Sequence, residues 1–176
     1  AAQARIHHLA HHDALTGLDN RASFHERLER SLARARPAAD LLALLFIDLD
    51  GFKRINDQQG HQAGDEVLRI VAQRLLRTVR EGDTVARLGG DEFLVMLDKD
   101  VTSLEPERIG QRIIEALSQP MIVDGQNLEI GASIGVAMHP PLPGQLEVLM
   151  NHADQAMYAA KRAGKGRLFH AESEGA

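Results

Sequence analysis

Thr84-Val85-Ala86-Arg87-Leu88-Gly89-Gly90-Asp91-Glu92-Phe93-Leu94-Val95-Met96-Leu97 decides how this chain folds. Two strand-forming runs flank a glycine pair. Glycine takes positive φ without steric cost, so the stretch predicts a β-hairpin with carboxylates at its tip. The Gly89-Gly90 backbone carries no side chain that would block a ligand there. Adjacent residues of an extended strand point to opposite faces. Only one of Asp91 and Glu92 therefore faces a neighbouring strand squarely, unless the turn bends.

A second acid pair, Asp48 and Asp50, ends the apolar run Leu41-Leu42-Ala43-Leu44-Leu45-Phe46-Ile47. An unbroken apolar run of this length predicts a central strand buried on both faces. Acids at the ends of two apolar strands are costly to bring together unless a cation neutralises them. Magnesium takes one or two carboxylates plus substrate phosphates, so Asp48, Asp91 and the Leu49 carbonyl form a candidate metal set. The competing reading is a solvated hairpin tip whose acids blunt a sheet edge.

Gly51 and Phe52 lie just past the strand's carboxyl end, where backbone N–H groups can meet phosphate oxygens. Asn56 and Asp65 supply an amide and a carboxylate about one loop apart. A carboxylate suits the N1–H and exocyclic amine of guanine and repels the N1 acceptor of adenine. A desolvated pocket of that kind discriminates on the order of 10⁴. The alternative role for these residues is to serve as turns and caps around Gly60 and Gly64. Lys161 and Lys165 stand four apart at the end of the last helix. They either complement the helix dipole or clamp terminal phosphates.

The 176 residues suffice for one domain, and 44% are hydrophobic. Aromatics are 3% with no Trp, so the core must be aliphatic. A net charge of −5 and no long basic stripe exclude a nucleic-acid partner. Absence of Cys fits a reducing compartment. No apolar run reaches the roughly 20 residues of a membrane span, so no membrane contact is expected of this segment. The chain shows no signal peptide and does not start with Met. It reads as an excised piece of a longer protein, cytoplasmic in itself or as part of a membrane-attached whole.

Residues 1–12 read as a connecting helix in which His7/His11 and His8/His12 pair at i, i+4. Asp19 or Asn20 caps a helix over 21–36 that Pro37 ends. A helix over 62–80 follows the central strand, with Gly82 as its stop. Ile109, Ile113 and Leu117 mark another helix, ended near Pro120. Asp124-Gly125 is a second hairpin turn, and period-two alternation predicts one long strand over 128–138. Its second face is small throughout, so something packs close against it. A last helix spans about 149–160, and a short strand follows near 166–169. Hairpins mixed with crossover helices predict an α+β fold with mixed strand directions.

The chain resembles the GGDEF-domain family, the diguanylate cyclases, over roughly residues 13–169. The blocks that carry the resemblance begin with Asp13-Ala14-Leu15-Thr16-Gly17-Leu18-Asp19-Asn20-Arg21 and Asp48 through Asp57. Gly60-His61, Ala63-Gly64-Asp65 and Arg87-Leu88-Gly89-Gly90-Asp91-Glu92-Phe93 follow. Ala153-Asp154, Met157-Tyr158, Ala160-Lys161 and Gly164-Lys165 close the series. One short motif is weak, whereas ordered blocks with every acid intact are specific.

The resemblance implies a central mixed, mainly antiparallel sheet flanked by helices, like the palm of polymerases and nucleotidyl cyclases. It implies condensation of two GTP into cyclic di-GMP with loss of two pyrophosphates, across a homodimer. Asp48, Asp91 and the Leu49 carbonyl would hold two magnesium ions, with manganese as an alternative. Asn56 and Asp65 would read guanine. Lys161 and Lys165 would grip the terminal phosphates, with Lys53, Gly51, Phe52 and Gly89 close to the substrate. Glu92 would be a ligand or help deprotonate the 3′-hydroxyl.

Arg80 and Asp83 resemble the family's inhibitory site for cyclic di-GMP. The catalytic domain would span 13–170, with 171–176 as a tail or linker and a sensory or dimerising domain upstream. The alternative is a non-catalytic regulatory domain that binds GTP or cyclic di-GMP. Gly51 and Gly166 depart from residues common in the family, and neither departure removes a ligand.

Overall fold

The computed structural model describes residues 10–37 and 39–172. In chain order the first elements are α1 (Arg21–Ala33), β1 (Leu42–Asp50), α2 (Phe52–Gln59) and α3 (His61–Thr78). The hairpin β2 (Thr84–Gly89) and β3 (Glu92–Leu97) precedes α4 (Glu105–Leu117). Then come β4 (Met121–Val123), β5 (Gln126–Leu128), β6 (Gly131–His139), α5 (Leu146–Arg162) and β7 (Leu168–His170).

β1 sits at the centre of a five-stranded sheet of order β2-β3-β1-β6-β7. It runs antiparallel to β3 and to β6, and only β6 and β7 are parallel. The mixed, mainly antiparallel sheet read from the sequence is the sheet observed.

Period-two alternation in β1 sorts the core into two layers. Ala43, Leu45, Ile47 and Leu49 bury against Val67, Val71 and Leu75 of α3 and Ile109 and Ile113 of α4. Leu42, Leu44 and Phe46 bury against Phe24 and Leu28 of α1 and Leu149, Ala153 and Met157 of α5. Asp48 and Asp50 continue the second set, so their carboxylates emerge on the α1 and α5 face. On β6 that face carries Ser133, Gly135 and Ala137. A Cβ on Gly135 would run into the backbone of Ala153 and Met157, so α5 rests directly on β6. The small face expected on this strand is there because a helix lies on it.

Five element readings change. The 128–138 strand is two pieces: β5 pairs with β4 in a separate two-stranded sheet, and β6 starts where β1 gives it a partner, Asp50 opposite Gly131. Residues 52–59, to which the sequence assigns no element, form α2, entered through Gly51 at φ +85 with Phe52 and Ile55 buried. α1 ends at Ala33, before Pro37, and α3 ends at Thr78, before Gly82. Lys165 lies outside α5, at φ +65 in the turn that follows. His7 and His8 fall outside the described residues, whereas Ala10 and His11 are helical.

Candidate active site

The hairpin turns through Gly89 at φ +140 and Gly90 at φ +51, and the ladder shifts register between Arg87 and Gly89. Glu92 lies directly opposite Asp48 in the β1–β3 ladder. Cross-strand partners project to the same face, so Glu92 is the acid that shares Asp48's side of the sheet. Asp91 sits in the turn, where its carbonyl accepts the Leu49 N–H at 3.1 Å. Arg87 braces that turn by donating from Nε to the Gly90 carbonyl at 3.0 Å and pairing with Asp13 Oδ1 at 3.0 Å.

The Asp48 carboxyl stands raised at about 6, chiefly through burial, with Lys161 working against the rise and Asp91 and Glu92 adding to it. Glu92 is also raised, by burial first and then by Asp154 and Asp91, against Arg21 and Lys161. Carboxylates crowded at one end of the sheet make a site that favours cations.

One cation is supplied by the chain. Lys161 Nζ lies 3.0 Å from Asp48 Oδ1 and 3.1 Å from Asp50 Oδ1, and donates to the Leu49 carbonyl at 3.3 Å. Burial alone would lower the Lys161 pKa, but Asp48 and Asp50 outweigh it and the net shift is upward. Asp50 is only 9% exposed. Its carboxylate accepts from Ser133 Oγ at 2.9 and 3.0 Å and from the Gly166 N–H at 3.0 Å. Asp50 thus ties Lys161 to the turn that carries Lys165. Sequence reasoning named Asp50 with Asp48 as the acid pair ending the central strand but left it out of the metal set. The signal was its spacing of two from Asp48, which puts both acids on one face.

Asn56 is on α2 and Asp65 on α3, two helices broken at Gly60 with φ +92, not the ends of a loop. Asn56 Oδ1 is buried without a hydrogen-bond partner, and a Cβ on Gly64 would collide with it. Asp65 is exposed. Gly51 opens α2, whose first backbone bond is Ile55 N–H to the Gly51 carbonyl. The N–H groups of Phe52, Lys53 and Arg54 are left unpaired by the helix, at the end of β1. Lys53 and Lys165 are exposed.

Arg80 and Asp83 meet each other away from this cluster, at the opposite end of β2. Asp83 Oδ2 accepts the Arg80 N–H at 2.9 Å and lies 3.6 Å from Arg80 Nε. The Arg80 guanidinium also donates to the carbonyls of Lys99 at 2.9 Å and Asp100 at 3.5 Å.

The donor set suits a hard cation shared with a ligand. Among the described residues no three His, Cys, Asp or Glu side chains converge as a self-sufficient metal cage. A few carboxylates and one carbonyl, leaving positions for phosphate oxygens, is how magnesium is held. The Lys161 ammonium on Asp48 and the Leu49 carbonyl shows that these oxygens accept a positive charge.

A helix-flanked mixed sheet with acids at the adjoining ends of two neighbouring inner strands, β1 and β3, defines a palm-like domain. A profile described as "Diguanylate cyclase, GGDEF domain" matches residues 10–167, and the chain belongs to that family. It is 45% identical over 170 residues to the diguanylate cyclase TpbB of Pseudomonas aeruginosa, covering 96% of this chain and 39% of that protein. The chain thus spans well under half of that relative. The solved GGDEF domain of TpbB superposes with a TM-score of 0.88 at 45% identity, covering 92% of this chain and 95% of that one. The coiled coil and GGDEF domain of DgcB from Caulobacter crescentus, solved in complex with c-di-GMP, gives a TM-score of 0.85 at 31% identity. That match covers 97% of this chain and 90% of DgcB's.

Proposed function

We propose that this domain condenses two GTP molecules into cyclic di-GMP, releasing two pyrophosphates. The observation that carries this reading is the meeting of Asp48 and Glu92 across β1 and β3, with Asp91 and the Leu49 carbonyl beside them. Asp48, Asp91 and the Leu49 carbonyl would hold two magnesium ions, or manganese. Bound there, the metals lower the pKa of the attacking 3′-hydroxyl and stabilise the departing pyrophosphate. Glu92 completes the carboxylate set, either as a further ligand or as the group that takes up the 3′-hydroxyl proton. Asn56 and Asp65 read the guanine edge, with Gly64 leaving room for the Asn56 amide. The free N–H groups after Gly51, with Lys53, Lys161 and Lys165, hold the phosphates.

Each domain offers one such half-site, so chemistry needs two copies face to face. An upstream sensory or dimerising module would raise their effective concentration. Arg80 and Asp83 bind the product as an inhibitor, the Arg80 guanidinium leaving the Lys99 and Asp100 carbonyls for guanine O6 and N7.

The deciding experiment incubates the concentrated domain with GTP and magnesium and measures cyclic di-GMP and pyrophosphate. Product from the wild type, with an Asp91→Ala control silent, is expected. GTP binding by calorimetry with no turnover from a folded dimer would overturn the enzymatic reading in favour of a regulatory nucleotide-binding domain.

A further inference from the structure

Lys161 occupies oxygens that the proposed metal needs. Its ammonium lies on Asp48 Oδ1 and the Leu49 carbonyl, with Asp50 Oδ1 as the third contact. Asp48 and the Leu49 carbonyl belong to the metal set proposed above, whereas Asp50 does not. An ammonium and a divalent ion cannot share these oxygens at such distances. The lysine must therefore leave before a metal can be seated.

We propose that Lys161 is a resident counter-ion that keeps free divalent cations off Asp48 and gives way only when a triphosphate arrives with its metal. This inference rests on the reading of Asp48 and the Leu49 carbonyl as metal donors.

The surroundings supply both halves of such an exchange. Lysine is a compact charge on a flexible four-carbon stem with three rotatable donors, so it can change partners without moving the helix that bears it. α5 itself is fixed, because its backbone rests on Gly135 of β6. Asp50 is fixed as well, by Ser133 Oγ and the Gly166 N–H, and can keep hold of the ammonium while Asp48 is released. A free divalent ion offers the displaced ammonium nothing in return for Asp48. A metal–triphosphate offers it phosphate oxygens, so only the complex compensates the lost ion pair. The consequence is strong coupling: metal alone binds weakly, nucleotide and metal bind together, and each raises the other's affinity by the same factor.

The test uses Mn²⁺ as probe, with free ion counted by electron paramagnetic resonance, in the folded domain with and without a non-hydrolysable GTP analogue. Lys161→Met should bind Mn²⁺ in the absence of nucleotide about tenfold more tightly than wild type, an ordinary size for coupled sites. The enhancement that the analogue brings should shrink by the same factor. Lys161→Gln, which keeps hydrogen bonding to Asp50 without the charge, should behave likewise and covers the case in which the methionine variant does not fold. If neither variant gains nucleotide-free affinity while wild type with analogue still binds Mn²⁺, the guarding role is wrong and the metal site stands. If no Mn²⁺ binds under any condition, the metal reading of Asp48 fails and takes this inference with it.

Discussion

Two aspartates of the fold respond to acid in opposite directions. Asp98, just past β3, accepts from Ser31 Oγ at 2.7 Å, Arg36 at 2.8 Å and Arg34 at 3.3 Å. Burial alone would raise its carboxyl, but Arg36, Ser31 and Arg34 outweigh burial and hold it below the ordinary 3.8. A depressed carboxylate contributes stability that is present above the unfolded pKa and lost as pH falls through the folded one. The Asp98 contribution should therefore disappear below about pH 4. Asp98→Ala should cost about 2 kcal/mol at neutral pH, since Arg36, 9% exposed, loses its partner in a partly screened site. Urea melts at pH 7 and pH 3 would show that loss shrinking in acid; an equal loss at both would refute it.

Asp48 is raised to about 6, chiefly by burial. A raised carboxyl binds its proton more tightly when folded, so ionised Asp48 costs stability above about pH 6, and that cost is relieved as pH falls from about 6 towards 3.8. The same proton competes with metal. Apparent Mg²⁺–GTP affinity should fall by up to about tenfold per pH unit below 6. Titration calorimetry across pH 5–8 would detect it, and a flat profile would remove Asp48 from the metal set. At this scale the gathering of strand-end acids around Asp48 was legible in the sequence, because residue type and strand phase carry it. The sequence did not show what Asp50 does, because its hold on Ser133 and Gly166 comes from partners 83 and 116 residues away.

Among the elements, the contact of α5 with β6 positions the lysine on Asp48. Gly135 lies under the helix backbone of Ala153 and Met157, so no side chain fits there. Gly135→Val should overpack this seam and cost about 1–3 kcal/mol. It should also weaken GTP binding, since lifting α5 moves Lys161. A variant with wild-type melting temperature and GTP affinity would show that the seam can relax. The β2–β3 hairpin, β1 and the small face of β6 could be read from period and glycine placement, because burial of those strands imposes the pattern directly. α2 was missed because its eight residues carry only two buried apolar side chains and no side-chain cap. The break between β5 and β6 was missed because alternation runs on through Glu129 and Ile130. What ends the strand is the end of its partner β1, a tertiary fact.

For the molecule as a whole, catalysis and control are expected to be separable. Arg80 is held by Asp83 and the Lys99 and Asp100 carbonyls, at the other end of β2 from the Gly89-Gly90 turn. Arg80→Ala should raise the product concentration at which the reaction stalls and leave the initial rate nearly unchanged. Coincident progress curves would show that Arg80 only stabilises the turn. On the proposed mechanism, assembly sets the rate itself. On the same mechanism the described donors serve one triphosphate, and a phosphodiester between two nucleotides needs a second copy opposite the first. At concentrations where the domain is mostly monomeric, the rate should rise with about the square of enzyme concentration, and specific activity should climb. Fusion to a parallel two-stranded coiled coil ahead of residue 10 should replace that dependence with a linear one and raise dilute-enzyme activity by about 10²-fold or more, through effective concentration alone. Specific activity that stays constant on dilution of the unfused domain, with sedimentation showing monomer throughout, would mean that one copy suffices and that the facing-domain mechanism is wrong.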